Sequence, residues 1–364
     1  MGPPRCLLVS SATAPLGSGA AGGLTHSVRV LSTALHGLGA RVDVLAPQGS
    51  GTGFAGRLLE VGGTLQPSLG GVSSTGAEAW PVPPGSALAE MWRRVLVEAR
   101  RYELVLNLQH DWLGYFLAGA LGPRLFHLPN LIGVNAATDL EIARLVRTAP
   151  RQIAFVSRAQ AEAYGAGPEA RVLHLSIDLA DYPLAPEPAA EPYLAWAGRV
   201  SPVKGLALAA AGAAAAGLPL KVAGPVEDPA HLAELEARFP GTIEPLGFLP
   251  RPALARMLGG ARGFLSTQSW QEALGLVTLE AMACGTPVIA TPRGANRELI
   301  RTGETGFLLE EETPDAVAAA VARLGEIDRA APRAFVAETF SPECLQRDLL
   351  SWLPLPRRGA TRSK

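Results

Sequence analysis

Cysteine, lysine and aromatic side chains are scarce in this sequence, and neither sign of charge is in surplus. The three cysteines, Cys6, Cys284 and Cys344, are odd in number and far apart, without a CxxC pair or neighbouring histidines. Neither a disulfide framework nor a zinc site is expected, and a reducing cytoplasm is the expected compartment. With 32 basic against 33 acidic residues the net charge is −1, so nothing favours nucleic acid as a partner. Long apolar runs are missing too. Cys6–Val9 is far shorter than the roughly 7–15 residues of a signal-peptide core. Gly205–Leu220 is mostly Ala and Gly, is interrupted by Pro219, and falls short of the roughly 20 strongly apolar residues that cross a bilayer. No membrane span is expected, and peripheral contact stays open. The G-x-S-x-G elbow of many hydrolases is absent, as is an Asp-x-Asp pair that would hold a metal against a diphosphate.

What is present is 364 residues, 48% of them hydrophobic, enough chain for two cores at roughly 150 residues per domain. Apolar β-type runs alternate with helical segments throughout, the signature of parallel α/β sheets. Strands are expected at Arg5–Ser11, Arg41–Ala46, Glu103–Leu108, Arg124–Leu128 and Gln152–Val156, with helices at Leu24–Leu38 and Ala87–Arg101. Gly49–Pro84, rich in Gly, Pro and Ser, reads as a long irregular excursion. The proline-laden stretch Asp178–Pro192 reads as an extended linker. Beyond it strands recur at Tyr193–Ala197, Leu220–Ala223, Thr242–Pro245, Gly263–Ser266 and Pro287–Ala290. Helices are expected at Gly205–Ala216, Pro229–Phe239, Arg251–Leu258 and Leu276–Ala283. The expected organisation is two Rossmann-like, doubly wound parallel-sheet domains, 1–180 and 181–340. Helical sequence follows through 341–364, with a frayed tail from Arg357.

Gly17-Ser18-Gly19-Ala20-Ala21-Gly22 matches the dinucleotide fingerprint G-x-G-x-x-G, which keeps an NAD-linked oxidoreductase among the readings. Its context argues against it. Ala12–Gly17, with Pro15, separates the glycines from the strand, and Asp43 lies inside the second strand instead of at its end. Gly22 and Gly23 can instead open a helix whose unpaired N–H groups attract an anion.

In the second half, Gly198-Arg199-Val200-Ser201-Pro202-Val203-Lys204-Gly205 joins a strand end to a helix. Arg199 and Lys204 there either grip a diphosphate or stand as solvated loop charges. Among only three lysines against 29 arginines, Lys204 invites a specific role as a compact point charge. In Ser269–Val288, Glu272 lies in a loop and Glu280 in the helix that follows. An acid among Leu276, Leu279 and Ala283 needs hydrogen-bond donors, which ligand hydroxyls can supply. The amides of Gly275, Leu276 and Val277 would receive a phosphate. His110, in Gln109-His110-Asp111-Trp112 at a strand end, is a further candidate.

These residues resemble the GT-B, retaining glycosyltransferases of the family 4 group. Glu272 and Glu280 match its Glu-x7-Glu signature. Gly198, Arg199, Lys204 and Gly205 match its G-R-x4-K-G signature, and Gly22-Gly23 its amino-terminal glycine loop. The resemblance implies two domains facing a cleft, a carboxy-terminal helix crossing back to the first domain, and no metal or cofactor beyond a nucleotide-sugar substrate. Arg199 and Lys204 would hold the donor diphosphate, Glu280 the ribose and Glu272 the sugar, with His127 beside that sugar. Pro15–Gly19, Ala46–Ser50 and Ser157–Gln160 are similar to the bacterial UDP-glucose:tetrahydrobiopterin glucosyltransferase branch. That similarity implies glucose transfer from UDP-glucose to a small-molecule or glycan hydroxyl, a pterin among the candidates. A GT-B epimerase or phosphorylase shares the fold and remains an alternative.

Overall fold

A computed structural model describes residues 2–18, 22–51, 53–67, 83–133 and 135–355. It divides into two compact units, Met1–Ser176 with Pro342–Lys364, and Ile177–Ser341.

The first unit contains β1 (Arg5–Val9), α1 (Gly22–Gly37), β2 (Arg41–Pro47), β3 (Arg57–Val61), α2 (Ala87–Glu98) and β4 (Leu104–Asn107). There follow α3 (Trp112–Phe116), α4 (Ala118–Leu121), β5 (Leu125–His127), α5 (Ala136–Thr148) and α6 (Arg158–Ala163). Its sheet is parallel, in the order β3-β2-β1-β4-β5. Cys6–Val9 and Leu104–Asn107 are buried throughout, as strands covered on both faces must be. One core under this sheet gathers Leu7, Val9, Met91, Trp92, Val105 and Tyr115.

Two expectations need correction here. Gly49–Pro84 is not irregular throughout, because β3 pairs with β2 from Asp43↔Arg57 to Pro47↔Val61. Its alternation is masked by Arg57 and Glu60, both used for contacts: Arg57 bonds Asp43, and Glu60 accepts from the Gly49 amide at 2.7 Å. Residue 52 and residues 68–82 of that excursion lie outside the described residues. Gln152–Val156, in turn, forms only isolated bridges, His127↔Ile153 and Phe155↔Val172, after a 3₁₀ turn at Pro150–Gln152. Its apolar residues enter the core without a continuous ladder.

The second unit contains β6 (Leu194–Ala197), α7 (Leu206–Ala215), β7 (Leu220–Ala223), α8 (Pro229–Arg238), β8 (Ile243–Gly247), α9 (Arg251–Gly260) and β9 (Gly263–Ser266). It continues with α10 (Leu276–Ala283), β10 (Val288–Ala290), α11 (Asn296–Leu299), β11 (Gly306–Leu308), α12 (Pro314–Arg323) and α13 (Ala330–Thr339). The sheet order is β11-β10-β9-β6-β7-β8, again parallel. Small residues let α7 approach α12 closely: a Cβ on Gly212 would lie 2.3 Å from Val317. The stretch Asp178–Pro192 is no loose linker. Arg329, itself 8% exposed, donates to the carbonyls of Ala185, Gly259 and Ala261 and to Thr286 Oγ1. Arg333 holds the carbonyls of Leu179, Tyr182 and Ala283. Such multiple carbonyl capture suits a planar guanidinium.

The last helix, α14 (Pro342–Trp352), packs on the first unit, where Trp352 Nε1 donates to the Arg151 carbonyl at 3.1 Å. The expected frayed tail, Arg357–Lys364, lies outside the described residues. Among the described residues no helix is long and apolar enough to cross a membrane.

Candidate functional site

Two loops at the carboxyl ends of β6 and β9 build the site in the second unit. The first runs from Gly198 to Gly205 and the second from Thr267 to Gly275. They are stitched together by backbone: the Ser269 amide donates to the Val203 carbonyl at 3.0 Å, and Thr267 Oγ1 to the Gly205 carbonyl at 2.8 Å. Gly205 makes this approach possible. Its φ is +76°, and a Cβ there would fall 1.8 Å from the Thr267 carbonyl oxygen. Gly198 donates its amide to Ala223 at 2.9 Å, fixing the start of the first loop on β7.

Lys204 and Glu272, 68 residues apart in sequence, meet across this seam. Lys204 Nζ lies 3.1 Å from Glu272 Oε2, with both side chains about four-fifths buried. Trp270 completes the cluster. Its Nε1 donates to the same Oε2 at 3.0 Å, and Lys204 Nζ sits 4.0 Å from its ring centroid. Glu272 is also braced through its backbone, because its carbonyl accepts from the Ala295 amide at 2.9 Å. Gly294, at φ +52°, passes so close that a Cβ would meet Glu272 O at 2.1 Å. The single glycine of Arg293-Gly294-Ala295-Asn296 therefore stands where the loop around Glu272 requires it.

Gly275 precedes α10, and Leu276 and Val277 begin it, all three partly exposed. First-turn N–H groups have no intrahelical acceptor and carry the positive end of the helix dipole, which suits an anion. Glu272 Cγ lies 3.6 Å from the place a Gly275 Cβ would take, so the ion cluster adjoins this helix start.

The other two expected charged residues have different partners. Arg199 pairs through Nη1 with Glu227, in the loop after β7. Glu280 Oε1 accepts from the Tyr182 hydroxyl at 2.6 Å. The structure thus joins Lys204 to Glu272, holds Arg199 on Glu227, and turns Glu280 toward Tyr182. Trp270, Tyr182 and Glu227 are the participants that sequence reading missed. Trp270 lies inside the Ser269–Val288 stretch and could have been noticed as an indole beside an acid. Tyr182 and Glu227 are joined to their partners only by the fold.

In the first unit, Gly22 and Gly23 open α1, with the Gly23 carbonyl accepting from Ser27 Oγ at 3.0 Å. Gly19, Ala20 and Ala21 of the G-x-G-x-x-G stretch lie outside the described residues. Asp43 is committed elsewhere, bonded by Arg57 at 2.8 Å and by the Tyr102 hydroxyl at 2.8 Å, with Arg5 at 3.5 Å. Burial alone would raise its carboxyl, but those bonds and charges outweigh it and hold the group below the usual carboxylate range. An acid so engaged does not serve a ribose.

His127 does not end its strand exposed. It is the last residue of β5 and is at 0% exposure, stacked on Tyr115 with centroids 4.9 Å apart, and Nδ1 is 3.2 Å from Asn107 Nδ2. Burial, with a smaller contribution from Arg144, pushes its imidazole down to about 3, so it is neutral. His110 is better placed for contact with a ligand. It lines a narrow cavity with Ser11, Thr13, Gln66 and Asp111 at the carboxyl ends of β1 and β4, where ligands of open α/β sheets collect. Burial lowers its imidazole to about 4. Asp111, raised by burial, caps α3 by accepting from the Leu113 amide at 2.9 Å.

The fold is shared with solved glycosyltransferases. Residues 185–337, less than half of the chain, match the family described as Glycosyl transferases group 1. A D-inositol 3-phosphate glycosyltransferase of Rhodococcus erythropolis is 39% identical over 143 residues, covering 35% of this chain and 32% of that protein. The chain spans about a third of the length of the curated relatives it matches. Among solved structures, AviGT4, a glycosyltransferase involved in avilamycin A biosynthesis, superposes with a TM-score of 0.68 at 24% identity. It covers 96% of each chain. Alr3699/HepE of Anabaena, solved with UDP and glucose, gives a TM-score of 0.69 at 17% identity over 96% of this chain and 98% of its own. These likenesses concern the fold.

Proposed function

We propose that this chain is a retaining glycosyltransferase that moves a hexose, glucose from UDP-glucose, to a hydroxyl acceptor without a metal. The observation that carries the reading is the Lys204–Glu272–Trp270 cluster beside the start of α10. A cation, an acid that accepts sugar hydroxyls and a set of helix amides lie together, which is what a sugar attached to a diphosphate needs. Lys204, Arg199 and the amides of Gly275–Val277 hold the diphosphate. Glu272 orients the sugar, and Glu280 accepts from the ribose hydroxyls. The UDP and glucose bound by HepE, which shares the fold, support this donor.

In the reaction the bond from the anomeric carbon to the diphosphate oxygen breaks, and negative charge grows on the leaving group. Lys204, Arg199 and the α10 amides stabilise that charge as fixed dipoles and cations. The acceptor oxygen bonds to the anomeric carbon from the face the phosphate leaves, and its proton passes to the departing phosphate oxygen. Glu272 acts by orientation, not as the base. Acceptor recognition falls to the first unit, at the cavity of Ser11, Gln66 and His110, and a pterin or glycan hydroxyl is the acceptor class. The enzyme works in the cytoplasm, where the buried thiols of Cys6 and Cys284 persist.

Thermal-shift measurements with UDP, GDP, ADP and NAD test the donor. Stabilisation by UDP above the others supports the assignment, whereas stabilisation by NAD alone favours the oxidoreductase reading. Anomeric configuration of the product, read by NMR with UDP-glucose, tests retention.

A further inference from the structure

Resting on the donor site described above, we propose that Tyr182 is a positioning residue that fixes the carboxylate of Glu280 and thereby sets discrimination for the ribose of the nucleotide.

Tyr182 follows the 3₁₀ turn Leu179–Asp181 and is fully buried at 0% exposure. Its hydroxyl donates to Glu280 Oε1 at 2.6 Å. A bond to a charged acceptor is stronger than one between neutral groups and strongly directional. Burial first, and the Glu280 charge second, push the phenol upward, so the proton stays on Tyr182 and the polarity of the bond is settled.

The frame around this bond is rigid. Arg333, on α13, donates to the Tyr182 carbonyl at 2.6 Å, and the same nitrogen reaches the carbonyl of Ala283, the last residue of α10. Its other terminal nitrogen reaches the Leu179 carbonyl at 3.4 Å. The Ala185 amide donates to the Cys284 carbonyl at 3.0 Å. One guanidinium thus ties both the backbone of Tyr182 and the end of the helix that carries Glu280. The separation of phenol and carboxylate is imposed by these ties, and any other Glu280 rotamer forfeits the Tyr182 bond. A carboxylate has about four acceptor positions. With Oε1 engaged by Tyr182, the group is presented in one orientation to the ribose hydroxyls, and no ordering remains to be done when the nucleotide arrives.

The test compares UDP with 2′-deoxy-UDP by isothermal titration calorimetry on the full chain and on Tyr182→Phe. The wild type prefers UDP, and Tyr182→Phe weakens UDP by about tenfold, the loss of one charge-assisted hydrogen bond's ordering. The deoxy nucleotide weakens by less than about threefold, so the preference shrinks. At saturating donor, kcat stays within about twofold, placing the effect in KM. A ratio of affinities does not depend on the fraction of protein folded, so it survives partial unfolding of the variant. If Tyr182→Phe does not fold at all, the comparison moves to Arg333→Lys, which loosens the tie on the Tyr182 carbonyl while keeping the phenol, and which narrows the UDP to deoxy-UDP preference in the same way. In a Glu280→Gln background the same exchange leaves the ratio unchanged, because it acts through that carboxylate.

A merely structural Tyr182 lowers the melting temperature and leaves the UDP to deoxy-UDP ratio at its wild-type value. That result overturns the inference while leaving the donor site intact, as does a ratio that falls equally with and without Glu280. A wild type that binds neither nucleotide overturns the donor site as well, and one that binds both equally removes the ribose role of Glu280.

Discussion

Replacing Lys204 by Ala removes the ammonium that lies 3.1 Å from Glu272 Oε2 and 4.0 Å from the Trp270 ring centroid. Two effects add. In the proposed donor site the leaving diphosphate loses a cation that is 19% exposed and therefore poorly screened by water. Glu272 keeps the Trp270 indole as a donor but loses its counter-charge, and its carboxylate then opposes the incoming phosphates. Loss of one preorganised charge-stabilising donor lowers kcat by about 10²–10³, or about 2.7–4 kcal/mol of transition-state stabilisation. Lys204→Arg restores the charge but not its shape, since a planar fork does not fit a place built for a point charge over an indole, so recovery is partial. The double variant Lys204→Ala/Glu272→Gln is less impaired than the product of the single effects, because the second exchange removes the uncompensated acid. Steady-state release of UDP from UDP-glucose with a fixed acceptor measures all five proteins, the Glu272→Gln single variant among them. Turnover of Lys204→Ala within threefold of wild type, or strict additivity in the double variant, refutes this reasoning.

Glu280→Ala raises the donor KM with little change in kcat if the ribose is held equally in ground and transition states, and an unchanged KM contradicts the ribose role. On the proposed mechanism, in which Arg199, Lys204 and the α10 amides neutralise the diphosphate, incubation with EDTA leaves the rate intact; abolition that added Mg²⁺ reverses contradicts the scheme. Stability declines on acidification below about pH 6.5, because unfolded imidazoles take up protons that native His127, lowered to about 3, and His110, lowered to about 4, refuse. Both folded values are depressed, so this stability is complete above the unfolded pKa and is lost as pH falls toward the folded ones. For fully buried His127 the loss is about 2–3 kcal/mol by pH 4.5, and denaturant melts of wild type and His127→Gln should show a flatter pH dependence in the variant. Equal slopes remove His127 from the acid response.

The parallel architecture was readable because strands covered on both faces are short unbroken apolar runs, such as Cys6–Val9 and Leu104–Asn107. Leu276–Ala283 was readable to the residue, since glycines stand just before it and near its end. At the sheet edge the pattern failed: β3 presents Arg57 and Glu60 among its five residues, and their contacts with Asp43 and Gly49 exist only once the chain has folded. Gln152–Val156 failed in the opposite way, since its apolar side chains report burial while its backbone makes single bridges. In the site, the spacing of Glu272 and Glu280 and the loop from Gly198 to Gly205 were legible because both are local. Their partners were not. Tyr182 is 98 residues from Glu280, and Glu227 is 28 from Arg199, distances over which no periodicity carries information. His127, expected beside the donor sugar from the resemblance, ends β5 at 0% exposure and stacks on Tyr115, a burial that its sequence neighbourhood does not announce.

A crystal structure of the protein with UDP bound tests the central claim most directly. The account predicts the β-phosphate within hydrogen-bonding distance of Lys204 Nζ and of amides among Gly275, Leu276 and Val277, with the ribose hydroxyls on Glu280. UDP held elsewhere, or its phosphates turned away from the start of α10 with Lys204 still closed on Glu272, contradicts it.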